Sequence, residues 1–315
     1  MLDKKPLNRI LIIDIEATSL EKCFADLSEN KKKLFIKRFK KPIETEFFLK
    51  NQEFTHEEMI LNAKIDSGDL KKKKKSVKVI ESSLEKIRED VLEEMYNTKA
   101  PIFPEWGKIL CISIGAMWKS GGEYLMKITS FFNENEEELL RELVDHPKLG
   151  AILNSIPGKY EKNPDDFWAM CAFNGMVYDF PFIAKRLIIN GIKLPKMFDY
   201  SHLKPWELEY LLIDPKKAWQ MNVFDAAVSL EMLTSVFDIP TPKDGISGAD
   251  VKDVFWIEND LPKIAEYCEK DVLALGRVLL KMKNIQESID VYAEPKKETS
   301  KNSDKGSEDE AGLTS

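Results

Sequence analysis

The chain has 315 residues, 43% of them apolar and 10% aromatic, and a formal net charge of −7. That is the composition of an ordinary soluble protein, sufficient for one large globular domain or two small ones with a sizeable core. The acidic balance argues against a protein that holds nucleic acid by net charge alone, although positive charge is concentrated locally in residues 31–41 and in the unbroken lysine run 71–75.

No apolar run approaches the roughly 18–20 residues of a membrane span, and the apolar stretch at residues 9–15 is followed and interrupted by acids that a signal peptide would not carry. A cytoplasmic protein with no membrane partner is expected. Cys23, Cys111, Cys171 and Cys268 are scattered and His56, His146 and His202 lack ligand spacing, so neither a disulfide framework nor a zinc ribbon is suggested. Any metal would be held by oxygen, which favours magnesium or manganese.

In chain order, residues 9–15 predict a short, isoleucine-rich buried strand. Residues 21–100 change texture to charged segments with helical periodicity, strongest over 24–40 and 79–96, and predict a lysine-rich helical insertion. Within it the lysine run reads either as a solvated mobile loop or as an electrostatic arm. Strand character returns at 108–118 and 123–129, joined across Ser120-Gly121-Gly122 as an antiparallel hairpin. A helix is expected at 134–145, an apolar strand at 167–173, and a helix at 179–190 with Pro181 in its first turn. Residues 197–200 suit a short strand, 225–237 a helix, and 261–283 a long helix capped by Asp260 with Pro262 in its first turn. The order predicts an α/β domain over residues 1–289, a mixed sheet flanked by helices, with residues 290–315 as a disordered polar tail.

Three segments offer acids that could carry chemistry. Asp14 and Glu16 lie two apart at the end of the first strand, so the strand's period of two puts both carboxylates on one face. Taken alone, the pair is better read as solvated beyond the strand's end. Asp179 follows the second apolar strand where a helix begins, a natural ligand position, though alone it reads as a cap. Tyr267 and Asp271 are four apart on one face of the last long helix, which alone is an ordinary surface pair.

Together the three segments, D-I-E-A-T at 14–18, N-G-M-V-Y-D at 174–179 and Y-C-E-K-D at 267–271, resemble the exonuclease motifs of the DEDD superfamily in its tyrosine subtype. The middle motif is similar to that of the proofreading exonuclease of family B DNA polymerases. The whole run, with P-E-W-G-K at 104–108 and the stretch 199–206, is closer to the stand-alone predicted 3′-to-5′ exonuclease family related to that domain. The likeness spans roughly residues 8–283, except that about 54–79 have no counterpart, and the sequence leaves no room for a polymerase after the third motif.

This resemblance implies a ribonuclease H-like fold with a five-stranded mixed sheet and hydrolysis with two divalent cations, Mg or Mn, about 3.5–4 Å apart. Asp14 would bridge both ions, Glu16 and Asp271 would complete the site that activates water, and Asp179 would hold the second ion. Bound cations would also offset the acidic charge. Tyr267 would orient the attacking water, since a phenol is a poor base at neutral pH. Asn174 and Tyr178 would touch the terminal nucleotides, the ring by stacking. The expected partner is a single-stranded nucleic acid, DNA favoured over RNA by the kinship with proofreading domains. The competing readings are an RNA exonuclease of the same mechanism and a catalytically silent nucleic-acid-binding relative.

Overall fold

The computed structural model describes residues 5–62, 70–155, 167–223, 228–240 and 245–292, with the side chains of 53–83 outside that description. Six strands form one mixed sheet: β1 (Ile10–Ser19), β2 (Gly107–Ser120), β3 (Glu123–Phe132), β4 (Ala169–Cys171), β5 (Leu212–Ile213) and β6 (Ile289–Val291), in the order β5-β4-β1-β2-β3-β6. Strand β1 pairs antiparallel with β2 and parallel with β4, which places it near the middle of the sheet.

The alternation along β1 divides the protein into two cores. Leu11, Ile13, Ile15 and Ala17 face the layer formed by α4 (Glu136–Asp145) and α6 (Asp179–Ile189). Ile10 and Ile12 face the opposite layer, where α11 (Leu261–Met282) presents Val272, Leu275 and Leu279. Ile10, Leu11, Ile12 and Ile13 are all 0% exposed. At about 1.5–3 kcal/mol each, their burial is worth roughly 6–12 kcal/mol, which anchors a strand that must also carry two desolvated acids.

Helix α11 follows from its caps and its stripe. Asp260 accepts a hydrogen bond from the Lys263 N–H at 3.1 Å, Pro262 sits in the first turn, and buried Ile264, Cys268, Val272, Leu275 and Leu279 recur every three or four residues. Gly276 lets the helix lie close to the sheet, because a Cβ there would come 2.3 Å from Met126 Cε and 3.3 Å from Ile12 Cδ1. The depth of α11 against β1 is thereby set one to three turns from Tyr267 and Asp271.

Between β1 and β2 lie α1 (Glu29–Arg38), α2 (Lys40–Asn62) and α3 (Leu70–Lys99), as the charged helical periodicity predicts. The backbone of 71–75 lies inside α3, so the expectation of a mobile loop there is corrected. Phe35 of α1 and Phe39, the residue that ends it, pack with Tyr96 of α3 and with Trp106, the Phe35–Tyr96 and Phe35–Trp106 centroids each 5.5 Å apart. This aromatic cluster fastens the helices to the start of β2.

The remaining helices are α5 (Leu149–Leu153), α7 (Pro205–Leu211), α8 (Pro215–Trp219), α9 (Leu230–Val236) and α10 (Val251–Asp253), the last continuing into a π-helical turn at Val254–Glu258. Two further expectations are corrected. Residues 197–200 are a turn and irregular chain, where the Pro195 carbonyl accepts from the N–H groups of Phe198 and Asp199, and the strand beside β4 is Leu212–Ile213 instead. The sheet has six strands rather than five, because Ile289–Val291 pairs parallel with β3 where a polar tail was expected from residue 290. Helix α9 begins at Leu230, capped by Ser229, and residues 225–227 of the expected helix lie outside the described residues, as does the tail from 293 onward. Among the described residues no helix is long and apolar enough to cross a membrane.

Candidate metal centre

Strand β1 runs four residues beyond its predicted end, with a register irregularity against β2 between Glu16 and Ala17. Asp14 and Glu16 therefore lie inside the sheet, on the face of Ile10 and Ile12 and opposite Ser113 and Cys111 of β2. A bulge beside two acids re-aims a side chain without ending the strand. Glu16 is 8% exposed and Asp14 is half-buried, which overturns the reading of two solvated charges past a strand's end.

Helix α11 brings the third acid onto the same face. Asp14, Glu16 and Asp271 each offer a carboxylate oxygen within 4.8 Å of the other two. Tyr267 lies one helical turn from Asp271 on the same face, where each bears on the other's ionisation. Between them on the buried side, the Cys268 thiol donates to the backbone carbonyl and to Oδ2 of Asp14, both at 3.3 Å. Of the helix face, Tyr267 and Asp271 point at the acids of β1 while Cys268 supports Asp14 from below.

Asp179 is the first residue of α6 and is 3% exposed. It does not act as the helix cap. The backbone N–H groups of Asp179 itself and of Ile15, the residue between Asp14 and Glu16, favour its charged form. Its oxygens lie outside the closest cluster, but its charge bears on both Asp14 and Glu16. Since β4 is parallel to β1, the segment after β4 reaches the same sheet edge as the end of β1, the usual gathering point for ligands in α/β sheets.

The electrostatics of the four acids are those of a site that lacks positive charge. Burial holds Asp14 well above the usual carboxylate range, and the negative charges of Glu16, Asp179 and Asp271 push further, with only the Cys268 hydrogen bond opposing. Burial, then Asp271, raises Glu16. Burial raises Asp179 to about 7 against the effect of those two N–H groups, and raises Asp271 against the opposing effect of Tyr267. Burial and then Asp271 push the Tyr267 phenol upward, so it stays protonated and can donate at neutral pH.

The middle motif owes its shape to a turn. Asn174 has φ +62°, a left-handed conformation that asparagine tolerates, and Gly175 follows because a Cβ there would meet Ala172 Cβ at 2.3 Å. The Tyr178 hydroxyl donates to the Pro101 carbonyl at 3.1 Å and its ring tilts against Phe182 at 5.3 Å. That hydroxyl is committed to a structural bond with the segment leading into β2.

A residue that the sequence reading passed over holds this turn in place. Asp214, 2% exposed, accepts from the N–H groups of Asn174 at 3.0 Å and Met176 at 3.4 Å while capping α8 through Lys216 and Lys217. Its signal was an aspartate directly before Pro215, the signature of an N-cap with proline at the first helical position. The second role, across to Asn174, is visible only in three dimensions.

Residues 151–305 match the family described as a predicted 3′-5′ exonuclease related to the exonuclease domain of PolB. The matched stretch contains Asn174, Tyr178, Asp179, Tyr267 and Asp271 and begins after β1, so Asp14 and Glu16 lie outside it. The acids within and outside the match nonetheless converge on one point. No curated protein matches the chain. The fold is mixed α/β and agrees with an exonuclease of this family, and nuclease chemistry implies a nucleic-acid substrate. The all-carboxylate donor set suits hard divalent cations, whose charge would relieve the mutual repulsion of acids held this close.

Proposed function

We propose that this protein is a 3′-to-5′ exonuclease that hydrolyses single-stranded DNA ends by a two-metal mechanism on a ribonuclease H-like fold. The observation that carries the reading is the convergence of Asp14, Glu16 and Asp271 within 4.8 Å, with Asp179 buried beside them. Asp14, Glu16, Asp179 and Asp271 would hold two divalent cations, Mg or Mn. Such ions supply charge stabilisation to the attacking and leaving oxygens of an in-line displacement.

The chain's own residues do the rest. Asp14 accepts a hydrogen bond from the Cys268 thiol at Oδ2, which holds its rotation, and its carboxylate would bridge both ions. Glu16 and Asp271 would complete the site of the ion that activates water, and Asp179, at the start of α6, would hold the second ion. Tyr267, one turn from Asp271, would hydrogen-bond the attacking water and orient it. It is not a base, because its surroundings raise rather than lower its pKa. The half-buried ring of Tyr178 offers a surface beside Asp179 for the terminal base, and Asn174 offers a side-chain amide.

DNA is preferred to RNA on the kinship with a DNA polymerase's exonuclease domain. The test is a labelled-end assay. 5′-labelled single-stranded DNA and RNA of equal sequence are incubated with the protein and magnesium or manganese, beside an Asp14→Ala control. A ladder shortening one nucleotide at a time from the 3′ end of DNA, absent in the control, is the expected result. Shortening of RNA alone would move the substrate to RNA, and binding without shortening would leave a silent nucleic-acid-binding relative.

A further inference from the structure

Asp14 and Glu16 lie inside β1, and a set of cations gathers around Trp106, which is bonded to the chain just beyond the strand's end at Ser19. Lys31, Leu34, Lys37 and Arg38 of α1 line a groove completed by Glu105 and Trp106. Phe35 and Phe39 are buried in the aromatic cluster, while Lys31, Leu34, Lys37 and Arg38 are exposed. Trp106 is the floor: it is 9% exposed and its carbonyl accepts from the Leu20 N–H at 2.8 Å. Four residues separate Leu20 from Glu16, about 13 Å at roughly 3.3 Å per residue.

The charges in this groove are free in a way that their neighbours' are not. Lys32 pairs with Glu29 at 3.0 Å and Lys40 with Glu44 at 3.7 Å, both within the helices. Among the described residues Lys31, Lys37 and Arg38 make no ion pair, and Arg38 instead lies over the Phe103 ring at 5.6 Å. Against these three cations the groove sets one carboxylate, Glu105. Leu34 stands 50% exposed among them, an apolar contact between charges. The same segment is tied to the middle motif, since Pro101 accepts from Tyr178 and Pro104 from Arg186 of α6.

We infer that this groove binds the sugar-phosphate backbone of the substrate strand on the 5′ side of the nucleotide being removed, with Lys31, Lys37 and Arg38 on phosphates and Leu34 against a base or sugar. The inference rests on the nuclease reading of the acid site. A strand whose 3′ end enters a cluster of acids has to continue away from it, and complementary charge along the seam between α1 and the start of β2 gives it a path. It also resolves the mismatch between a net charge of −7 and a polyanionic ligand, because the binding charge is local.

The test uses the full chain, a 5′-labelled 12-nucleotide strand and a trinucleotide of the same 3′ sequence. Anisotropy titrations in chelator across a salt series read the groove alone, and cleavage in magnesium reads the acid site. In the triple variant Lys31→Gln, Lys37→Gln, Arg38→Gln, the slope of log affinity against log salt for the 12-mer should shrink by about 0.7 per lost phosphate contact, roughly 2 in all. The ratio of 12-mer to trinucleotide cleavage efficiency should fall roughly tenfold, and Glu105→Gln should shift 12-mer affinity the opposite way.

An unchanged slope in a folded triple variant, or equal losses on both lengths, overturns the groove while wild-type cleavage leaves the nuclease reading standing. A wild type that cleaves neither length but loses 12-mer binding in the variant keeps the groove and removes the nuclease. Tighter binding of a polyglutamate peptide than of the 12-mer would also overturn the inference, assigning the cations to an acidic protein segment.

Discussion

Glu136 and Glu16 are equally buried, at 7% and 8% exposure, and their surroundings could hardly differ more. Glu136 of α4 receives the guanidinium of Arg186, the amide of Asn190 at 3.0 Å and the N–H of Ile109 at 2.7 Å, so every lone pair and the charge itself are met from within the fold. Glu16 meets Asp14 and Asp271, and among the described residues none of the four site acids forms an ion pair. Helix α6 contributes to both sites, Asp179 at its start to the acids and Arg186 near its end to Glu136. One buried glutamate is matched by an arginine of the fold, whereas the four acids meet no such partner, which is the contrast that the proposed cation site would explain.

Breaking the self-sufficient site should cost stability and nothing else can restore it. Arg186→Ala strands a buried carboxylate and should destabilise the protein by about 3–5 kcal/mol in urea melts, with no recovery in magnesium. Recovery in magnesium would mean that the two acid sites are not different in kind.

Breaking the other site should do the reverse. Asp14→Ala and Asp271→Ala remove one ligand each from a cluster that is repulsive when empty, so cleavage should fall by at least on the order of 10²–10³-fold while the melting temperature holds or rises. Wild-type turnover in either variant, with magnesium present, would remove that residue from the site.

The contrast sharpens with pH. Asp179 has an ordinary pKa of 3.8 and about 7 in the fold, so between those values the native state holds more protons than the unfolded chain. Stability of the chelated protein should therefore fall as pH rises from about 4 to about 7, and Asp179→Asn should flatten that fall. A stability that climbs through the same window would contradict the sign.

The smallest effect belongs to Tyr267→Phe, which keeps the ring and loses the hydroxyl. A single positioning hydrogen bond is worth roughly 1–1.5 kcal/mol, so turnover should slow about tenfold with single-strand affinity unchanged. An unchanged rate under single-turnover conditions takes Tyr267 out of the chemistry.

Much of this candidate site was legible in the sequence because its acids pair by the two simplest periodicities, and the resemblance of the three motifs brought the pairs together. Asp14 and Glu16 share a face by the strand's period of two, and Tyr267 and Asp271 by the helix's turn, so neither pairing needed the fold. The strand's true length did need it. Asp14, Glu16 and Thr18 break an apolar run, and β1 continues to Ser19 only because β2 pairs with it. Strands β5 and β6, of two and three residues, carry no period to read and are defined by neighbours β4 and β3. Asp214 was legible as a cap and illegible as a clamp, since its partner Asn174 lies 40 residues away.

The comparison of the two acid sites is tested most directly by calorimetric titration of manganese into the chelator-stripped protein. Saturable binding of up to two ions with release of protons is expected, lost in Asp14→Ala and in Asp271→Ala. Absence of saturable binding in the wild type, or the same isotherm in both variants, would contradict the assignment of the four acids to a cation site.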